Sequence, residues 1–247
     1  MQNTKINIEY DGTRYNGWQR LGDTDNTIQA KIESVLSVMS GESVNLIGSG
    51  RTDAGVHALN QVAHFKTDKN FVSQSIIDYC YKYLPKDIVV KSAEVVDDRF
   101  HARYNIVKKQ YLYIIDNNPI HSVFSRKYQY HIPEVLSITK MNQSAGVLVG
   151  KMDYRSFTNL KSKNKNTIKT IYDINISKEE GIIKILFTGD GFLYNMVRII
   201  TSCLIESGLG TITPDDMKAI LSGKSRQLAP GIAPPHGLYL FNSIYKT

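Results

Sequence analysis

Gly48-Ser49-Gly50-Arg51-Thr52-Asp53-Ala54-Gly55-Val56-His57 stands just ahead of residues 62–66, a run that reads as a strand. Three glycines in so short a stretch permit tight or positive-φ backbone, so the spacing predicts that Arg51 and Asp53 ride on a strained turn. Such a turn holds a carboxylate exposed yet immobile, with an arginine near enough to keep it ionised, as a carboxylate nucleophile requires. Aspartate before Ala-Gly is also an ordinary turn former, and the residues alone leave both readings open. The glycine spacing lacks the third glycine of a dinucleotide fingerprint, and no Walker lysine follows. No serine sits in a Gly-x-Ser-x-Gly context either, which excludes a nucleophile elbow.

Working outward, Ile6, Ile8 and Tyr10 alternate with polar residues and predict a half-buried strand over 5–10. Asn26, with Gln29 three residues on, is expected to cap a helix through Ile28, Ile32, Val35, Leu36 and Met39 that Gly41 stops. Residues 73–84 carry Ile76, Ile77 and Cys80 on one helical face and end at Pro85; 86–96 reads as extended. Further on, 111–115 and 127–132 read as strands, and 134–149 as an amphipathic helix. Residues 168–176 and 182–187 pair across 178–181. A long helix is expected over 192–207, then a short one opened by Thr213-Pro214-Asp215-Asp216, and 238–244 closes as a strand. The pattern predicts an α+β protein in two halves, 1–100 and 101–247, with no low-complexity linker between them.

The chain has 247 residues, 42% of them hydrophobic and 21% charged, enough for a real core and against whole-chain disorder. No apolar run approaches the roughly 20 residues of a membrane span. The N-terminal residues show no apolar signal core, so a soluble, cytoplasmic protein is expected. Two cysteines, Cys80 and Cys203, cannot form a disulfide framework, and the six histidines show no ligand spacing, so no metal site is expected. Formal charge is +7, and its placement is uneven. Residues 151–169 hold Lys151, Arg155, Lys161, Lys163, Lys165 and Lys169 against Asp153 alone, and 99–113 hold Arg99, Arg103, Lys108 and Lys109 with no acid. That confinement suits a phosphate backbone, although a solvated loop, with 161–167 as a mobile polar turn, gives the same pattern.

Two more stretches carry chemistry. In 108–113, Tyr111 and Tyr113 share one strand face beside two lysines, an arrangement that stacks bases and holds phosphates, or packs across a sheet. In 189–198, Phe192, Met196, Ile199, Ile200 and Cys203 are expected to form an apolar helical stripe, with Tyr194, Arg198 and Ser202 on another. Arg198 is then either a solvated charge or a cation reaching into a cleft.

These stretches occur in an order that resembles the TruA family of tRNA pseudouridine synthases. The likeness runs end to end. It includes Tyr10-Asp11-Gly12, Gly17-Trp18-Gln19, Gly50 to His57, Phe100-His101-Ala102-Arg103, Tyr111 to Ile115, Phe192 to Arg198, and Ala233 to Tyr239. Departures are small: Leu21 stands where relatives often carry glutamine, and Lys169 where many carry arginine. The resemblance implies that Asp53 is the catalytic aspartate at the target ribose and Tyr111 the residue stacked on the target uracil. Arg198 would pair with the aspartate, Leu238 would line the uracil pocket, and Arg51 would help displace the target nucleotide. It further implies a pseudouridine synthase-like, mainly antiparallel mixed sheet with flanking helices and a central basic cleft. The implied partners are tRNA, modified in the anticodon stem-loop, and a second copy in a homodimer, with no metal or organic cofactor. A paralogue acting on ribosomal RNA, a non-catalytic RNA-binding module and a metal-dependent nuclease are the alternatives.

Affinity for tRNA is expected to fall with salt as counterions are released. Changing Lys161, Lys163 and Lys165 together to glutamine should shrink the log–log salt slope by roughly 2, since each phosphate contact contributes about 0.7–0.9. An unchanged slope in a filter-binding titration means the three lysines are merely solvated.

Overall fold

The computed structural model describes residues 1–160 and 166–246. The chain divides into two compact units, Met1–Val107 with Tyr239–Thr247, and Lys108–Leu238. Residues 101–107 and 239–247, expected in the second half, thus belong with the first unit. Lys161, Lys163 and Lys165 lie outside the described residues. Among those described, no helix is long and apolar enough to cross a membrane.

In the first unit, β1 (Gln2–Tyr10), α1 (Ile28–Ser40), β2 (Ile47–Gly48), β3 (His57–Thr67), α2 (Ser73–Tyr83) and β4 (Ile88–Val95) follow one another. β1 pairs antiparallel with both β3 and β4, and β2 pairs with β3. Alternation buries Ile6, Ile8 and Tyr10, and the helices add Ile28, Ile32, Leu36, Ile76 and Cys80 to the core. The N-cap of α1 is Thr27, whose side chain accepts the Ala30 amide, one residue beyond the expected Asn26. Asn26 is spent elsewhere, donating to the Arg14 carbonyl, and Gln29 bonds Glu33 and Leu46 instead of closing a capping box. Gly41 does end the helix in the left-handed region, at φ 75°.

The second unit takes β5 (Ile106–Asp116) from Lys108 onward, then β6 (Tyr130–His131), α3 (Ile138–Val147), β7 (Gly150–Asp153), β8 (Ile168–Glu179), β9 (Ile182–Gly189), α4 (Met196–Leu209) and α5 (Pro214–Gly223). Its sheet runs β5-β9-β8-β7, antiparallel throughout, with β6 beside β5 in parallel. Glu180 and Gly181 turn between β8 and β9 with φ of 48° and 78°, the two-residue hairpin whose twist matches its strands. α5 opens on the expected signature, a capping box between Thr213 and Asp216. The expected strand over 127–132 shrinks to Tyr130–His131, and α3 is shorter than 134–149 because Ser137 caps it. α4 begins at Met196, not 192, after Asn195 takes a left-handed conformation, so Phe192 and Tyr194 are not on its stripes.

The last strand, β10 (Leu238–Tyr245), returns to the first unit. It pairs parallel with β3 through Tyr239–His57 and Leu240–Ala58. The Tyr245 hydroxyl donates to the Ala102 carbonyl, and the Ala102 amide donates to His64 Nδ1 at 3.1 Å. These bonds draw residues 101–107 to this unit. The fold is α+β, built on a mostly antiparallel sheet.

His64 lies beside β2, which leads into the Asp53 loop, and its ring also bonds the Ile47 carbonyl. Burial, with the nearby His101 and Lys66 adding to it, lowers its pKa from 6.5 to about 4. Between those values the unfolded chain takes up a proton that the folded chain refuses, so this contribution to stability is lost as pH falls from 6.5 towards 4. Urea unfolding of wild type and His64→Gln is expected to differ in pH slope there by up to ~1.4 kcal/mol per pH unit. Parallel slopes would leave the pH response with other groups.

Candidate active site

Residues 49–56 run outside the regular ladder, so their polar groups need partners other than strand neighbours. The segment 10–18 supplies many of them. The Tyr10 hydroxyl lies 2.7 Å from Thr52 Oγ1, and the Trp18 amide donates to the Thr52 carbonyl at 3.1 Å. The Gly12 amide donates to His57 Nδ1 at 3.1 Å, and His57 stacks on Tyr239 at 4.9 Å. Beneath the loop, buried Ser49 donates to Gln61 Oε1 and meets Ser243, while Gln61 donates to the Gly50 carbonyl. The 10–18 segment is itself anchored to α1, whose Ile28 and Gln29 amides, without partners inside the helix, donate to the Gly17 and Trp18 carbonyls.

The approach is close enough to dictate residue type. A Cβ on Gly17, at φ 93°, would stand 2.6 Å from the Thr52 carbonyl oxygen and 3.1 Å from the Asp53 carbonyl carbon. Gly48 faces the Trp18 indole, where a Cβ would be 2.6 Å from the ring. Within the quoted stretch only Gly55 has positive φ, 77°, so the expected strain is confined to one residue after Asp53. Asp53 itself is half-buried, its carbonyl accepting the Val56 amide at 3.2 Å, and Arg51 is exposed.

The second unit holds Tyr111, Arg198 and Leu238. Tyr111 is buried on β5 opposite Phe187, with its ring edge-to-face against Phe192 at 5.3 Å. Arg198 is half-buried near the start of α4. Its Nε donates to the Ala233 carbonyl at 2.7 Å and Nη1 to Asn195 Oδ1 at 3.3 Å, while its own carbonyl accepts the Ala233 amide. The guanidinium is therefore held by a backbone segment and by Asn195. Tyr113, on the same strand face as Tyr111, donates its hydroxyl to the Pro234 carbonyl at 2.9 Å. Burial pushes the Tyr113 phenol well above its ordinary range against the pull of Arg198, and pulls the His236 imidazole below its range. Residues 233–238, ending in buried Leu238, thus tie α4 to β5.

The family model described as tRNA pseudouridine synthase matches residues 6–105 and 145–246. "tRNA pseudouridine synthase A 2" of Bacillus cereus (strain ZK / E33L) is 47% identical over 242 residues, 98% of this chain and 99% of that protein. The chain belongs to the TruA family of tRNA pseudouridine synthases. It is an isomerase that converts uridine in tRNA to pseudouridine. Two further TruA-family relatives, "tRNA pseudouridine synthase A" of Bacillus sp. (strain KSM-64) and "tRNA pseudouridine synthase A 1" of Clostridium tetani, are each 50% identical over 240 residues, 97% of this chain and 98% of theirs. Arg51, Asp53, Arg198 and Leu238 fall inside the matched segments, while Tyr111 falls between them.

Residue spacing places Phe192 on a helical core stripe instead of against Tyr111, and gives no role to Asn195, Ala233 or residues 11–18. Their signal was present as motif residues, but their work is done through backbone groups and ring edges that a sequence does not display. Both cysteines are buried, and burial pushes each thiol up to about 12, so neither serves this TruA-family enzyme as a thiolate. Tyr113→Phe is expected to cost about 1 kcal/mol by leaving the Pro234 carbonyl unbonded, and to speed hydrogen exchange at the Ala233 amide. Unchanged exchange there would show that the segment is held without Tyr113.

Proposed function

We propose that Asp53 performs the chemistry at the target ribose, in the anticodon stem-loop of tRNA, and that the enzyme works in the cytoplasm as a homodimer. The observation that carries the first part is the loop itself: a half-buried aspartate whose preceding neighbour, Thr52, is bonded at two atoms and whose own carbonyl accepts the Val56 amide, as a group reacting at one fixed carbon requires. The remaining roles follow the family. Tyr111 stacks on the flipped uracil, and its ring is already steadied by Phe192. Arg198 is the cation that favours an ionised aspartate, Leu238 gives the base an apolar wall, and Arg51 helps displace the nucleotide.

The reaction leaves the composition of the uridine unchanged. Asp53 promotes cleavage of the C1′–N1 bond, either by attack at C1′ or by taking the 2′ proton. The freed uracil turns and rejoins through C5, whose proton leaves to solvent as N1 gains one. No water is added and no electrons are exchanged with a second molecule.

Asp53→Asn and Asp53→Ala are expected to abolish tritium release from tRNA labelled at uridine C5, while binding stays within a few-fold of wild type. Persistent turnover by purified Asp53→Ala would reject the assignment. Pseudouridine mapping on total tRNA places the modified uridines, and modification outside the anticodon arm alone would overturn that part.

A further inference from the structure

We infer that Tyr10 is a positioning residue for catalysis, acting through Thr52 on the backbone that carries Asp53; this rests on the reading of Asp53 as the catalytic group. Tyr10 is the last residue of β1, held between Ala58 of β3 and Ile88 of β4. It is 3% exposed, and its ring lies 6.0 Å from that of Trp18. Two strand partners and a packed ring fix the direction of its hydroxyl, which lies 2.7 Å from Thr52 Oγ1 in buried surroundings.

Thr52 is the residue immediately before Asp53, and it is gripped at two atoms. Its side chain meets Tyr10 and its carbonyl accepts the Trp18 amide. The second bond fixes the plane of the Thr52–Asp53 peptide, and the first sets the rotation of the Thr52 side chain and so of the backbone behind it. Gly17 lies against that peptide, and only its lack of a side chain lets 10–18 come so close to it. On the far side, the Asp53 carbonyl accepts the Val56 amide and Gly55 turns left-handed, features that act on the C-terminal side of the residue. Loss of the Tyr10–Thr52 bond therefore loosens the N-terminal side of Asp53 and leaves its other bonds in place. A misplacement of about 1 Å costs on the order of 100-fold in rate. tRNA affinity, which is spread over many phosphate contacts, does not depend on this one bond.

The test is steady-state tritium release with Tyr10→Phe, Thr52→Val and the double variant, alongside filter binding of tRNA and thermal melting. Phenylalanine preserves the ring packing and removes only the hydroxyl. The expected result is a tenfold or greater fall in kcat for each single variant, with KM and Kd within twofold of wild type. The double variant should be no more than twofold worse than either single, because both remove the same bond, and Thr52→Ser should restore kcat to within threefold. Should Tyr10→Phe fail to fold, Thr52→Val carries the same test. Wild-type kcat in the folded variants, a loss carried by KM and Kd, or multiplicative losses in the double variant would overturn the positioning role. Asp53→Asn separates the two levels. If it is inactive while Tyr10→Phe is normal, positioning alone fails; if it still turns over, the reading of Asp53 falls and this inference with it.

Discussion

A carboxylate that must meet one carbon of a flipped nucleotide cannot sit on backbone free to drift, and Asp53 is on a loop, where no strand ladder holds it. The first unit meets this constraint with substitute bonds. Thr52 is held from two directions by Tyr10 and Trp18, Gly50 is held from below by Gln61, and His57 is held by the Gly12 amide. Three of those partners are fixed by something regular: Tyr10 and Gln61 by strand pairing, and Trp18 by the Gln29 amide in the first turn of α1. The order of the sheet and helix is thereby passed to an irregular segment one bond at a time. The glycines at 12, 17 and 48 serve that arrangement by letting backbone and indole come within contact distance.

The second unit solves a different problem. Tyr111 needs no loop, because its strand, paired with β9, already fixes the direction of its ring, and Phe192 adds an edge contact that limits its tilt. Arg198 has a long, floppy side chain, so helix position alone does not aim it. The Ala233 carbonyl and the Asn195 side chain do, through two of the five donors of the guanidinium. Lysine has no planar fork with which to copy that pairing.

Much of the fold was legible because hydrophobic periodicity is a local signal. β1, α1, α2, the β8–β9 hairpin and the capped start of α5 all follow from residue spacing and turn chemistry. The misreadings share a cause, which is competition for side chains by partners distant in sequence. Asn26 was read as a cap, but its side chain is taken by the Arg14 carbonyl. The start of α4 was read too early because Phe192 fits the apolar spacing of the helix, yet its ring is spent against Tyr111. The motif residues of the site were legible as a set, and their roles came from family resemblance. What the sequence hid was the set of backbone carbonyls at 52, 233 and 234 that do the holding, since every residue type carries one. The return of β10 to the first unit was hidden for a related reason: a strand spells its faces, not its neighbour.

That return has a consequence for how the chain is made. β10 is synthesised after the whole of the second unit, and its place is beside β3, made well before it. Until it arrives, only the short β2, at Ala63 and His64, covers that flank of β3, and His57–Ala58 has no strand along it there. An open strand edge of that kind invites pairing with the wrong chain. The first unit therefore cannot reach its finished form until the second has been made, and depends on a long-range closure, a slow class of step. Nascent or shortened chains lacking β10 should be the forms of this enzyme most in need of chaperone protection.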